Sequence, residues 1–290
     1  MKKIIILIPV FNDWESLQKL INEINNNIKN YKDIYFECLV INDASTVKQP
    51  KLILPKYIRS IEILNMRKNT GHARCNAFGI RYIFQNKKFD YLMLMDGDGE
   101  DRPEEIKNLV DTVKNSPEIS VVAKRVKRSE GYIFQFLYQS HKLITLIFTG
   151  KNICFGNYSI LTKVDVENLY SKPSLWSSFS GTVKKNIKSL NEIKSTRGTR
   201  YFGPSKMSLF KLLIHSFSII AVFKYQVFLR STFLVIILAF LNLYLGNFII
   251  FLQILIVGFN LAIFIVSLRE SHRELTNSHE NLLDTINITH

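Results

Sequence analysis

From Ser231 to Leu268 the chain runs for 38 residues without a charge. As one helix this stretch would reach ~57 Å, almost twice a hydrocarbon core of ~30 Å, so its length predicts two membrane crossings joined by a tight turn. Asn242 and Gly246-Asn247 interrupt the run near its middle. Lys224 and Arg230 precede the pair, and Arg269 and Arg273 follow it. A hairpin leaves all four cations on one side, which the positive-inside rule makes the cytoplasm, so both termini are expected there. A buried hairpin inside a soluble protein is the alternative.

Two stretches upstream carry a weaker form of the same pattern. Residues 132–149 are apolar apart from Gln135, Gln139, Lys142, Thr145 and Thr149, whose spacing draws one narrow polar stripe along a helix. That suits a helix lying in a membrane interface. Residues 206–223 repeat the idea, with Lys206, Lys211, His215 and Ser218 opposite Phe210, Leu213, Phe217 and Ile220. Two ordinary core helices would also fit. The polar segment after Arg269 reads as a solvated helix or a disordered end. Its Asn287-Ile288-Thr289 matches a glycosylation sequon that a cytoplasmic tail would never present to the lumenal enzyme.

Residues 1 to about 125 alternate short apolar runs with amphipathic stretches, as repeated βα units of a parallel sheet do. Strands are expected at Ile4–Val10, Phe36–Ile41, Ile61–Leu64, Tyr91–Met95 and Ile119–Ala123. Trp14, Leu17, Leu20, Ile21, Ile24 and Ile28 recur at helical spacing, a second helix covers about 72–85, and Pro103 opens a third. The opening Met1–Ile8 imitates a signal peptide, but its apolar run stops at Pro9 and lacks a small-residue cleavage site, so it reads as a buried strand. The expected division is an α/β domain over 1–205, an amphipathic juxtamembrane helix within 206–230, two transmembrane helices in 231–268 and a cytoplasmic tail over 269–290.

The formal charge of +14 predicts attraction to phosphate on a nucleotide, a nucleic acid or an anionic membrane. No nucleic-acid-binding motif is present, and the apolar C-terminal third does not suit one. Cys38, Cys75 and Cys154 are odd in number and far apart, which suggests neither a disulfide framework nor a zinc site.

Each polar cluster falls where a strand ends, the edge at which open α/β sheets bind ligands. Asp96-Gly97-Asp98 directly follows the Tyr91–Met95 run. Two carboxylates so placed can meet one hard divalent cation and leave its other positions to waters and phosphate oxygens, with Glu100 as a third oxygen source. Such a cation would neutralise a nucleoside diphosphate leaving group. Ile8–Asp13 and Val40–Ser45 end the first two strands and could hold a base and ribose, though helix capping by Asn12, Asp13 or Ser45 explains either one alone.

Ile8–Asp13, Asn42–Ser45, Asn69-Thr70-Gly71-His72, Asp96–Glu100 with Arg102-Pro103-Glu104, and Lys124-Arg125 together resemble the inverting GT-A glycosyltransferases, a family that includes dolichol-phosphate mannose synthase and bacterial polyprenyl-phosphate (bactoprenol) glucosyltransferases. The resemblance covers about residues 3–225, and the two-helix ending resembles the bacterial branch. It implies a GT-A fold, Rossmann-like with a mostly parallel sheet, carrying interface helices and a C-terminal transmembrane hairpin. It implies a nucleotide pocket of Pro9, Phe11, Asp13, Asp43, Asn69, Gly71 and Asp96, and an Mg²⁺ or Mn²⁺ site of Asp96, Asp98 and Glu100. Asp98 and Arg125 would be catalytic, and Arg125, Arg128 and Lys142 would meet the acceptor phosphate. The family's oligomers make a homo-oligomer an expected state.

The chain departs from the family pattern at Val47, where an acid is usual, and at Glu100, where the mannose synthases tend to have glutamine. Lys142 stands where the synthases carry an interface arginine, and the turn Cys154–Ser159 has no acid to act as base. A lipid phosphate is ionised at neutral pH and attacks without deprotonation, whereas a sugar hydroxyl needs a carboxylate. The expected reaction is therefore metal-dependent transfer of one sugar, with inversion, from a nucleotide sugar to polyprenyl phosphate at the inner face of the membrane. Transfer to a glycan hydroxyl is the alternative, and a non-catalytic membrane scaffold is a third. A polymer synthase of this fold would carry Gln-x-x-Arg-Trp, but neither Trp14 nor Trp176 follows an arginine.

Overall fold

Alternate residues of the first strand enter opposite layers, and that separation organises the molecule. β1 spans Lys2–Val10: Ile4, Ile6 and Ile8 join the core on one face of the sheet, Ile5 and Leu7 the core on the other. The computed structural model describes residues 1–127, 132–203 and 208–290. After β1 come α1 (Trp14–Ile28), β2 (Ile34–Asn42), β3 (Ile58–Met66), α2 (His72–Asn86), β4 (Tyr91–Leu94), α3 (Ile106–Asn115) and β5 (Ser120–Lys127). The expected strands and helices are all present, each within a few residues of its anticipated ends.

The second half continues with α4 (Tyr132–Thr149), β6 (Phe155–Thr162), α5 (Lys163–Leu169), α6 (Phe179–Asn186), β7 (Leu190–Thr196) and α7 (Leu209–Ala221). Then follow α8 (Lys224–Leu245), α9 (Asn247–Ser267), the short α10 (His272–Thr276) and β8 (Leu282–Thr289). The strands form one sheet in the order β7-β5-β6-β4-β1-β2-β3-β8. β4, β1, β2 and β3 run parallel, as do β5 and β7, while β6 and β8 run antiparallel to their neighbours. Helices α1 and α3 cover one face, and α2, α5 and α6 cover the other. Leu17, Leu20, Ile21 and Ile24 form the fully buried stripe of α1, and each stabilises the fold by roughly 1.5–3 kcal/mol. The turn expected at Cys154–Ser159 is instead the start of β6.

Helices α8 and α9 are long and apolar enough to cross a membrane, with Gly246 at positive φ turning the chain between them. Only 17% and 11% of their apolar windows are buried, so they are not a core hairpin of a soluble domain. On α4 only the C-terminal end of the polar stripe points inward: Thr145 and Thr149 are buried, while Gln139, Leu143, Leu146 and Ile147 are exposed. Burial is tolerated because each threonine hydroxyl donates to a carbonyl one turn back, His141 O and Thr145 O.

The segment after Arg269 is neither a solvated helix nor a disordered end. β8 adds to the sheet edge, running antiparallel to β3 from Ser60 opposite Thr289 to Met66 opposite Leu282. Ile288 packs on one core and Leu282 on the other. The docking covers the N–H and C=O groups that β3 would otherwise leave open. Trp176 Nε1 donates to Glu274 Oε2 at 2.6 Å, and Arg74 Nη2 lies 3.4 Å from the same oxygen. At the hairpin's base Lys224 and Glu270 pair at 3.0 Å. Both ends of the hairpin are therefore held by the same domain. Replacing Ile288 by aspartate should cost about 1–3 kcal/mol, read as a lower Tm of the full chain; an unchanged Tm would show that the strand contributes nothing.

Candidate active site

The carboxyl ends of β1, β2 and β3 are tied together by two polar side chains. Asn12, at positive φ, accepts at Oδ1 from the backbone N–H groups of Thr46 and Val47 at 2.8 and 3.0 Å, and its own N–H donates to Ser45 Oγ at 2.9 Å. Asp43 is buried and accepts from the N–H groups of Thr70 and Gly71 at 2.8 and 2.9 Å, while Asn69 Nδ2 donates to its carbonyl at 3.1 Å. Asp43, Asn69 and Gly71 thus shape one loop junction beside Pro9, Phe11 and Asp13 at the end of β1. Gly97 lets the Asp-Gly-Asp turn press onto that end: a Cβ there would stand 3.0 Å from the Pro9 carbonyl.

Three acids and a histidine meet at this turn. Asp96 Oδ1 accepts from Asn157 Nδ2 at 3.0 Å and lies 3.2 Å from His72 Nε2. Burial pushes its carboxyl up, but His72, Arg125 and Asn157 outweigh that and hold it well below the usual carboxylate range. His72 moves the other way in answer: desolvation pulls its proton affinity down, the Asp96 charge prevails, and the net direction is up. Asp98 is pushed up to about 6 by burial and by the Asp96 charge. Asp101, buried beneath the turn, accepts from the Asp96 N–H at 2.9 Å and is pushed up to about 8 by burial and Asp96. The turn holds more negative charge than its surroundings readily solvate.

The cations that offset it come from three places. Arg125 on β5 is anchored through its N–H to the Cys154 carbonyl at 3.0 Å. Its guanidinium lies over Gly156, where a Cβ would come within 2.5 Å of Nη2. Arg200 Nη1 bonds Asp98 Oδ2 at 2.5 Å, and its Nη2 pairs with Asp13. Arg197 pairs with Glu100. Among the described residues, Nε of both Arg197 and Arg200 is buried without a hydrogen-bond partner. Gly156→Ala should displace Arg125 and lower turnover with little change in Tm; full turnover would show that the close approach is unimportant.

The sheet edge brings together Asp13, Asp96, Asp98, Glu100 and Arg125. Among the described residues no three His, Cys, Asp or Glu side chains converge on one point, because Glu100 turns to Arg197 rather than to Asp96 and Asp98. Lys142 lies on α4, and Arg128 lies outside the described residues. Arg197, Arg200, Asp101, Asn157 and His72 are site residues that local sequence pattern does not nominate. The pair Arg197-x-x-Arg200 just past β7 was the available signal, but nothing local says that this loop folds back over β4. Asn157 lies within Cys154–Ser159, the segment without an acid.

An open, mostly parallel α/β sheet with this turn at its carboxyl edge is the GT-A arrangement. Glucosyl-3-phosphoglycerate synthase from Mycobacterium tuberculosis, solved with Mn²⁺, UDP-glucose and phosphoglyceric acid, shares the fold with a TM-score of 0.53 at 15% identity, over 78% of this chain and 80% of that one. The chain belongs to glycosyl transferase family 2, whose model matches residues 5–179. A dolichol-phosphate mannosyltransferase from Pyrococcus furiosus is 26% identical over 43% of this chain and 34% of its own length. An undecaprenyl-phosphate 4-deoxy-4-formamido-L-arabinose transferase from Photorhabdus laumondii is 24% identical over 73% of this chain and 65% of its own. The matched portions thus span from a third to two thirds of these relatives.

Proposed function

We propose that the chain transfers one sugar, with inversion, from a nucleotide sugar to polyprenyl phosphate at the cytoplasmic face of a membrane. The observation that carries this reading is the Asp96-Gly97-Asp98 turn at the sheet edge with Arg125 close enough to depress Asp96, on a domain joined at both ends to an apolar hairpin. The two curated relatives described above are transferases named for lipid phosphates, which supports a lipid-phosphate acceptor.

The donor set fits a divalent cation: Asp96 and Asp98 are adjacent hard-oxygen ligands, and burial beside Asp96 raises the proton affinity of Asp98 even with Arg200 on it, a charge that a further cation would relieve. Asp96 and Asp98 would hold Mg²⁺ or Mn²⁺, which when bound supplies neutralisation of the departing diphosphate. Glu100 would join only if Arg197 released it. Arg125 stabilises charge on the diphosphate or the acceptor phosphate from β5. Arg197 and Arg200, each with a buried Nε that has no hydrogen-bond partner among the described residues, can turn from carboxylates to diphosphate oxygens, so donor binding exchanges one anion for another. Pro9, Phe11, Asp13, Asn69 and Gly71 border the nucleotide, with Asp43 holding their loops. Lys142, on α4, would meet the acceptor phosphate, as the family resemblance implies for Arg128 too. No general base is required, because an acceptor phosphate is already ionised.

The test incubates membranes containing the full chain with radiolabelled nucleotide sugars and polyprenyl phosphate, with and without EDTA. Metal-dependent label in a mild-acid-labile lipid is the expected result. Label confined to a larger glycan would favour a hydroxyl acceptor, and no incorporation from any donor would overturn the reading.

A further inference from the structure

Helices α4 and α8 border an open groove of about 530 Å³ outside the site described above. Ile147, Phe148, Leu229, Phe233 and Leu234 line it, together with Arg230 as the charged member. Arg230 is fixed from two sides. Nη1 donates to the Ile147 carbonyl in the last turn of α4 at 3.1 Å. Nη2 occupies space that Gly150 leaves open, since a Cβ at that position would stand 2.4 Å away. Among the described residues its bonded partner is a carbonyl, not a carboxylate, so the charge is positioned without being neutralised.

A guanidinium mounted beside an open apolar groove is complementary to an amphiphile with a negative head and a hydrocarbon tail. We propose that the groove seats one anionic glycerophospholipid, its phosphate on Arg230 and an acyl chain against Phe233 and Leu234. The fork of an arginine suits phosphate oxygens, and the apolar walls reject a hydrated ion that brings no tail. Charge selects the head: a zwitterionic lipid carries the same phosphate but also a cation that Arg230 repels. The seat lies where α8 starts its apolar run and α4 ends, the depth of a headgroup if the hairpin crosses a bilayer. A lipid held there would brace α4, which links Arg125 on β5 to Asn157 on β6. The inference goes beyond the sugar-transfer reading and depends only on the hairpin being in a membrane.

The test strips lipid from the full chain in an uncharged detergent. Phosphatidylglycerol or phosphatidylcholine of equal acyl length is then added, and retained molecules are counted by native mass spectrometry. The unaltered chain should keep one phosphatidylglycerol with a preference of about tenfold or more. Arg230→Gln should erase that preference, and Phe233→Ala should weaken retention of both lipids. Equal retention of the two lipids, or an undiminished preference in Arg230→Gln, would overturn the proposal. If that variant does not fold, the headgroup comparison on the unaltered chain decides alone. Polyprenyl phosphate is added last: failure to displace phosphatidylglycerol supports the assignment, and displacement mole for mole would make the groove an acceptor seat and overturn it.

Discussion

Replacing Asp98 by asparagine is expected to lower sugar transfer by about 10²–10³-fold while leaving the chain at least as stable. The substitution keeps size and removes one of two carboxylates that would hold the cation. It also removes the anchor of Arg200, which bonds Asp98 at 2.5 Å. Stability moves the other way because the folded carboxyl is pushed up to about 6. A carboxyl with raised pKa contributes stability that is fully present below the ordinary carboxylate range and is lost as pH rises through about 6. At neutral pH the charge is therefore a cost, and asparagine removes it. Turnover and Tm measured on the same preparation check both halves. Turnover within a few-fold of the parent would remove Asp98 from the chemistry, and a collapsed Tm would mean that the Arg200 bridge outweighs the burial of the charge.

The parallel strands and the hairpin were legible because their signals are local. Tyr91–Leu94 is a continuous apolar run, α1 repeats with helical period, and 38 uncharged residues have few uses other than a pair of membrane crossings. β8 was not legible, because Asp284, Thr285, Asn287 and Thr289 make an exposed edge strand whose pairing with β3 lies over 200 residues away in sequence. The site divides the same way. Asp96 and Asp98 follow their own strand, so position alone nominates them. Arg197 and Arg200 reach the turn only because their loop folds back, with the Gly198 N–H donating to the Glu100 carbonyl at 2.8 Å and the Tyr201 N–H to the Asp98 carbonyl at 3.0 Å. Neither contact leaves a trace in local composition. Asp43, expected to line the nucleotide pocket, accepts from the Thr70 and Gly71 N–H groups, an anchoring role that a carboxylate after any strand could take.

Arg125 carries the other large effect: Arg125→Ala is expected to reduce turnover by about 10²-fold, with a smaller change in donor KM. Its guanidinium is held by packing over Gly156 and by the strand pairing of β5, so it is oriented before any substrate arrives. A fixed donor of this kind is worth most where charge develops, because no reorganisation is needed at the moment of transfer. Binding of the ground-state nucleotide sugar draws on several loops and should be less sensitive. Arg125→Lys separates charge from shape: a lysine keeps the cation but loses the two-pronged geometry that meets phosphate oxygens, so it should recover part of the rate and not all of it. Full recovery by lysine would reduce Arg125 to a source of positive potential. A KM effect larger than the kcat effect would make it a binding residue for the donor, and the catalytic role would then have to pass to Arg200, which bonds Asp98 directly.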